Sequence, residues 1–205
     1  IFKNRDDAVA YWLVKSPLFA SDQYLALQAT LALSTDAGNH DYFTEDTIIT
    51  SDAVSSNESA HNIISYHFTS IPGVSKIGKY IGTGAAGNYV DCGFKPAFVM
   101  FKNLSNTGSW IIQDGIRGDE YLIPNTSGAA VAFDHLDFTD DGFVMKSASD
   151  NVLNEEYIFL AFSETSSDST KGGTDLTYPT TPDALGIEEG IQIYLPDALN
   201  FSGGQ

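Results

Sequence analysis

The densest set of side chains able to do chemistry in this sequence is Asp134, His135, Asp137, Asp140 and Asp141. Asp36, His40, Asp41, Glu45 and Asp46 form a second such group earlier in the chain. Carboxylates at this density suit calcium, which takes roughly six to eight oxygen ligands. The spacing does not follow the EF-hand loop, and an acidic solvated loop is the plainer reading. Zinc fits less well, because each group holds a single histidine and no cysteine joins it. A serine nucleophile needs a histidine beside it. Serines are plentiful, but none sits in a Gly-x-Ser-x-Gly elbow, and His40, His61, His67 and His135 have no distinguishing neighbours. Glu155 and Glu156 are adjacent, so on a strand they face opposite sides and make a poor acid–base pair for glycoside cleavage.

Other short motifs read as structure. Gly82-Thr83-Gly84-Ala85-Ala86-Gly87 lacks the Lys-Ser/Thr and the helix of a phosphate loop, and its spacing is not that of a dinucleotide fingerprint, so it reads as a turn. Arg117-Gly118-Asp119 matches a cell-adhesion tripeptide, but three residues recur by chance and these lie in a polar turn before a strand. Asn57, Asn103, Asn125 and Asn200 open glycosylation acceptor patterns, which carry meaning only on a secretory route. An exposed tryptophan can stack on a sugar, yet Trp12 and Trp110 lie in apolar strands and read as core. Cys92, at a strand end, reads as a small core residue, and with a single cysteine no internal disulfide forms. No catalytic, cofactor-binding or metal-binding residue is assigned.

The elements that would position these groups occur twice. Phe2-Lys3-Asn4, a Trp12 strand and Asp22-Gln23-Tyr24-Leu25 are answered by Phe101-Lys102-Asn103, a Trp110 strand and Asp119-Glu120-Tyr121-Leu122. Phe43-Thr44-Glu45-Asp46 with Ile48-Ile49 is answered by Phe138-Thr139-Asp140-Asp141 with Phe143-Val144. Ile63 to Phe68 is answered by Tyr157 to Phe162. The offset drifts from 99 at Phe2/Phe101 to 94 at Phe68/Phe162, as loss of a few loop residues would produce. Strands and turns repeated in one order mark two copies of one structural unit. No polar cluster is visibly preserved between them, which favours surface and shape over chemistry.

The 13 Phe and 10 Tyr, with many Thr, Ser and Gly, supply a core and favour strands. The formal charge of −17 repels phosphate backbones and anionic lipid, which argues against a nucleic-acid partner. No apolar run approaches the roughly 20 residues of a membrane span. The expected architecture is all-β: two tandem antiparallel β-sandwich-like units, residues 1–72 and 73–164, with a linker and extended C-terminal arm over 165–205. Strands are expected over 11–14, at the start of 23–33, over 47–51 and over 62–69. The short connector Ile71-Pro72-Gly73-Val74 implies that the units pack together. The first unit lacks what Lys79 to Val99 supply to the second, as a processed or fragmentary chain would, leaving a sheet edge open. Tyr66-His67-Phe68 and Leu160-Ala161-Phe162 both read as terminal strands buried on two faces. In the arm, Ile191-Gln192-Ile193-Tyr194-Leu195 reads as a detached strand able to join an open edge.

Residues Tyr80-Ile81-Gly82-Thr83-Gly84, Gly93-Phe94-Lys95-Pro96-Ala97-Phe98-Val99-Met100-Phe101-Lys102, Trp110, Asp114, Tyr121-Leu122, Asp140-Asp141-Gly142-Phe143 and Tyr157 to Phe162 resemble a repeated β-rich domain of tailed-phage structural proteins. That domain is especially common in marine phages and is often labelled tail fibre. Lys3-Asn4-Arg5-Asp6, Tyr24-Leu25 and Ile71 to Gly78 resemble the preceding repeat, so the likeness spans residues 1–164. The resemblance implies a non-enzymatic virion component: a fibre, spike or capsid-decorating protein located in the virion. Its partners would be other virion proteins and itself, as a homo-oligomer, commonly a trimer in fibres. Host attachment and display follow, with no nucleic acid and no membrane insertion. A carbohydrate-binding module meeting host-surface glycans through exposed tryptophan or tyrosine is the alternative. A polysaccharide hydrolase with two carboxylates in a cleft is a further one.

Overall fold

A computed structural model describes residues 1–36, 42–43, 48–50 and 56–164. The chain there is all-β, and the described residues contain no helix. The first run of strands is β1 (Phe2–Asn4), β2 (Trp12–Val14), β3 (Gln23–Ala26), β4 (Ser34–Thr35), β5 (Tyr42–Phe43), β6 (Ile48–Ile49) and β7 (Ile63–Ser65). The second is β8 (Ser75–Ile81), β9 (Asn88–Asp91), β10 (Pro96–Asn103), β11 (Ile111–Asp114), β12 (Glu120–Leu122), β13 (Val131–Ala132), β14 (Leu136–Phe138), β15 (Gly142–Met145) and β16 (Glu156–Ser163). Segment 23–33 is strand over β3 and then loop, as expected from its start. The arm, including the strand expected at Ile191 to Leu195, lies outside the described residues.

Sheet order repeats with the sequence. The first large sheet runs β4-β3-β2-β1-β7 and the second β13-β12-β11-β10-β16-β8. The small sheets are β5-β6 and β14-β15-β9. Every strand of the first run thus has a counterpart in the second, whereas β8 and β9 have none in the first. The matching register is visible in single pairs: Phe2 lies opposite Leu13, and Phe101 opposite Ile111. Even a side-chain substitute for a ladder bond recurs. Gln28 Oε1 accepts from the Trp12 amide at 2.8 Å, and Asn125 Oδ1 accepts from the Trp110 amide at 2.9 Å.

The six-stranded sheet is buried on both faces. Val99, Phe101, Tyr157, Phe159 and Ala161 point from β10 and β16 into a core closed by Phe143 and Met145 of β15. The intervening residues Met100 and Ile158 point the other way, onto Val14 and Leu25 of the first sheet together with Trp110. Trp110 crosses that second core and donates its indole N–H to the Ala26 carbonyl at 3.0 Å. Burial of each large apolar side chain contributes about 1.5–3 kcal/mol, so these two cores dominate over any surface ion pair. The sheets on either side of the short connector pack together through this second core; within the connector Ile71 pairs with Ser75 around Gly73, which sits at φ +75.

The edge strands differ where similarity was expected. β16 is flanked by β10 and β8 and is largely buried. β7 pairs with β1 alone among the described residues, and Tyr66 and Phe68 just beyond it are 46% and 44% exposed. The expectation of two-sided burial for Tyr66-His67-Phe68 is therefore corrected. β8 covers β16, no described strand does the same for β7, and His67 stands where β16 has the fully buried Ala161.

A polar device, unseen in the sequence, is also repeated. Asn4 caps its turn by accepting from the Asp6 and Asp7 amides and donates to Glu58 at 2.9 Å. Asn103 caps the equivalent turn through the Ser105 and Asn106 amides and donates to Glu155 at 2.5 Å. The neighbouring lysines bond loop carbonyls: Lys3 those of Asp7 and Ala10, and Lys102 that of Asn103 at 2.6 Å. The repeat therefore preserves polar groups after all, but they hold turns closed. Lys102 is fully buried, and burial lowers its ammonium pKa to about 8. The folded chain thus resists a proton that the unfolded chain accepts up to the ordinary lysine range. Stability should rise as pH climbs from about 8 toward that range. Urea unfolding of wild type and Lys102→Met across this window tests it, and the variant should lose that part of the rise.

Candidate functional site

Two features of the fold could serve function. The first is the outer rim of β7, which has no partner strand among the described residues. Ile1 and Tyr66 exchange both backbone hydrogen bonds, and the Arg5 amide donates to the Asn62 carbonyl at 2.8 Å. In an antiparallel ladder such pairs alternate, so Ile64 also faces β1, while the amides of Ile63 and Ser65 face away from it. The matching rim of β16 is occupied by β8 along its whole length, from Glu156 opposite Ile81 to Phe162 opposite Ser75. Half-exposed apolar side chains surround the free rim: Ile64 at 36%, with Tyr66 and Phe68 beyond it. Trp12 is only half-buried and stacks on Tyr66 with ring centroids 6.4 Å apart, whereas Trp110 is core.

The second feature is a cleft of about 390 Å³ bordered by Phe101, Ile111, Tyr121, Phe133, His135 and Asp150. Its geometry starts from Gln113 on β11, which is 3% exposed. The Gln113 amide acts as a strand neighbour for the segment opposite. Its Oε1 accepts from the His135 amide at 3.0 Å, and its Nε2 donates to the Leu136 carbonyl at 3.0 Å and to Asp134 at 2.7 Å. From the other side, the Lys146 amide donates to the His135 carbonyl at 2.8 Å. With its backbone fixed, His135 turns its ring inward between Tyr121 and Phe133, with centroids at 4.3 and 4.6 Å. Its Nδ1 meets Asp150 Oδ2 at 2.5 Å, and that carboxylate also accepts from Ser149 Oγ at 3.0 Å. A carboxylate only accepts, so Nδ1 carries the proton, and in the neutral tautomer Nε2 then presents a lone pair. That Nε2 is buried and has no partner.

The acidic groups singled out in the sequence disperse. Asp134 and Asp137 both pair with Lys146, the latter at 3.1 Å. Partial burial pushes the Asp134 pKa up, but hydrogen bonds from Lys146 and Gln113 outweigh it and hold the group low; the bonds to Asp134 and Asp137 raise the Lys146 pKa. Asp141 accepts from Thr139 in an exposed turn. Among the described residues no three His, Cys, Asp or Glu side chains converge as metal ligands. His40, Asp41, Glu45 and Asp46 lie outside the described residues. No serine hydroxyl bonds His135 Nε2, so a Ser-His-Asp order is not assembled there. Glu155 bonds Asn103 and Asn106, while Glu156 bonds Lys79 at 3.2 Å, so the two carboxylates do separate work.

The glycine-rich segment is a loop docked on residues 151–155. A Cβ at Gly82 would stand 1.9 Å from the Val152 carbonyl oxygen, and Asn151 fills the loop by donating to Thr83 Oγ1 at 2.9 Å and to the Ala85 carbonyl. Arg117 of the adhesion-like tripeptide folds back onto Asp114. Cys92 lies in the core, and burial pushes its thiol up to about 11. The sequence reading missed Gln113 and Asp150. Neither has a local signal, because both act on residues brought near by the β14–β15 hairpin.

Residues 1–166 match the model of a family described as a domain of unknown function, DUF7483, and the chain belongs to that family. No curated protein and no solved structure matches the chain.

Replacing Gln113 with Leu keeps the volume but strips partners from the His135 amide and the Leu136 carbonyl. Each buried group left unpaired costs about 1–3 kcal/mol. Urea titration should show a lower midpoint for Gln113→Leu, and an unchanged midpoint would mean that water replaces the amide.

Proposed function

We propose that this DUF7483 member is a non-catalytic structural component of a tailed-phage virion, acting in assembly and surface display through its sheet edges. The observation that carries the assembly reading is the one-strand difference between two sheets of otherwise identical order. In one, β8 covers β16. In the other, the rim of β7 offers outward amides at Ile63 and Ser65, flanked by half-exposed Ile64 and Tyr66. An unpaired rim is a template for strand addition, in which main-chain bonds give affinity and alternate side chains give selection. The occupant is a β8-type strand from a neighbouring repeat of the same family, whether on the same polypeptide or another copy. The virion assignment is supported by the resemblance of residues 80–102 and 157–162 to repeats of phage structural proteins. Fibres of that kind are homo-oligomers, commonly trimers, and their loops face the host.

Ser65 provides a clean test, because its amide points away from β1. Ser65→Pro removes an outward donor while leaving the β1 ladder intact. A peptide spanning residues 75–91 should bind the chain saturably, and Ser65→Pro should abolish this with little change in melting temperature. Equal binding by the variant would reject the edge. The virion assignment is read separately: mass spectrometry of purified particles encoding the chain should find it at fixed copy number, and its absence from particles would overturn that assignment.

A further inference from the structure

We propose that the His135 cleft is a binding site for a neutral saccharide unit, held by a hydroxyl donated to His135 Nε2. The lone pair on Nε2 is the starting point. Asp150 holds the proton on Nδ1, so in the neutral tautomer Nε2 is left to accept a hydrogen bond from a ligand. The side chain is 6% exposed, and an unpartnered polar atom at that depth is costly unless a ligand completes it. A ligand hydroxyl donating to Nε2 completes it.

The lining chooses among donors. No lysine or arginine borders the cleft, and Asp150 does, so an anionic ligand is disfavoured. Phe133 is 44% exposed and, with Tyr121, offers an aromatic face at the mouth. Thr107, Ser109 and Ser149 add hydroxyls on the rim. Apolar faces with a few convergent polar groups suit a pyranose, which presents C–H surface on one side and hydroxyls at its edge. The volume of about 390 Å³ admits one or two sugar rings. Nε2 is shielded as the free protein stands, so binding includes a tilt of the Tyr121 or Phe133 ring, a side-chain movement common at binding sites. This site stands apart from the β7 rim and does not depend on what assembles there.

Nuclear magnetic resonance of the full chain tests it, with methyl glycosides of glucose, galactose, mannose and N-acetylglucosamine as probes and tetramethylammonium as a cationic control. At least one glycoside should give saturable shifts at the Tyr121 and Phe133 rings and move the His135 Nε2 nitrogen resonance. His135→Phe keeps a ring but deletes the acceptor, and should weaken that glycoside by roughly tenfold, the equivalent of one lost hydrogen bond. If His135→Phe unfolds, the Nε2 resonance of the wild-type chain decides alone. No saturable shift with any glycoside, an unmoved Nε2 resonance, unchanged affinity in a folded His135→Phe, or binding of the ammonium probe only would each overturn the proposal.

Discussion

Every strand in this chain has to place its backbone N–H and C=O groups, and the pairing of the last strand of each large sheet governs the rest. β16 has a neighbour on both sides, β10 and β8, and becomes the buried spine of its sheet. β7 occupies the equivalent place with one neighbour among the described residues. From that single difference follow the exposure of Tyr66 and Phe68, the outward amides of Ile63 and Ser65, and the assembly role proposed for the rim. Side-chain chemistry adds to the contrast, because Ser65 and His67 stand where β16 has Phe159 and Ala161.

The second organising constraint is that the six-stranded sheet is shared between two cores. Alternate residues of β10 and β16 serve the core beneath β14 and β15, and the residues between them serve the contact with the first sheet. Strand alternation, which usually separates core from solvent, here separates core from core. Buried polar side chains then close turns or stand in for strand pairing. Asn4 with Glu58 and Asn103 with Glu155 close equivalent loops, and Gln113 stands in for a missing strand against residues 134–136. The cleft exists because Gln113 replaces strand pairing there, leaving the His135 ring room to turn inward.

Much of this architecture was legible in the residues. The alternation of Leu25 and its neighbours located β3, the turn-forming glycines bounded β8 and β9, and the apolar run at Ala97 to Phe101 located β10. Recurrence of Phe-Lys-Asn and of the tryptophans identified equivalent positions before any coordinates. What was not legible depends on distant partners. Tyr66 and Leu160 read alike because exposure is set by β8, which only one of them has nearby. The capping roles of Glu58 and Glu155 carried no local signal because their partners lie 54 and 52 residues away. The aspartates around His135 suggested a cation, yet Lys146 draws two of them aside. His135 gained its meaning from Asp150, fifteen positions on, which the hairpin folds back beside it.

The central claim is that β7 is an edge built to be covered. Amide hydrogen exchange at Ile63 and Ser65 reads it directly, compared between the isolated chain and its assembled state. The account predicts fast exchange at these two amides in isolation and slow exchange on assembly, with Ile64 and Tyr66 protected in both. Exchange at Ile63 and Ser65 that stays fast in the assembled state would contradict it.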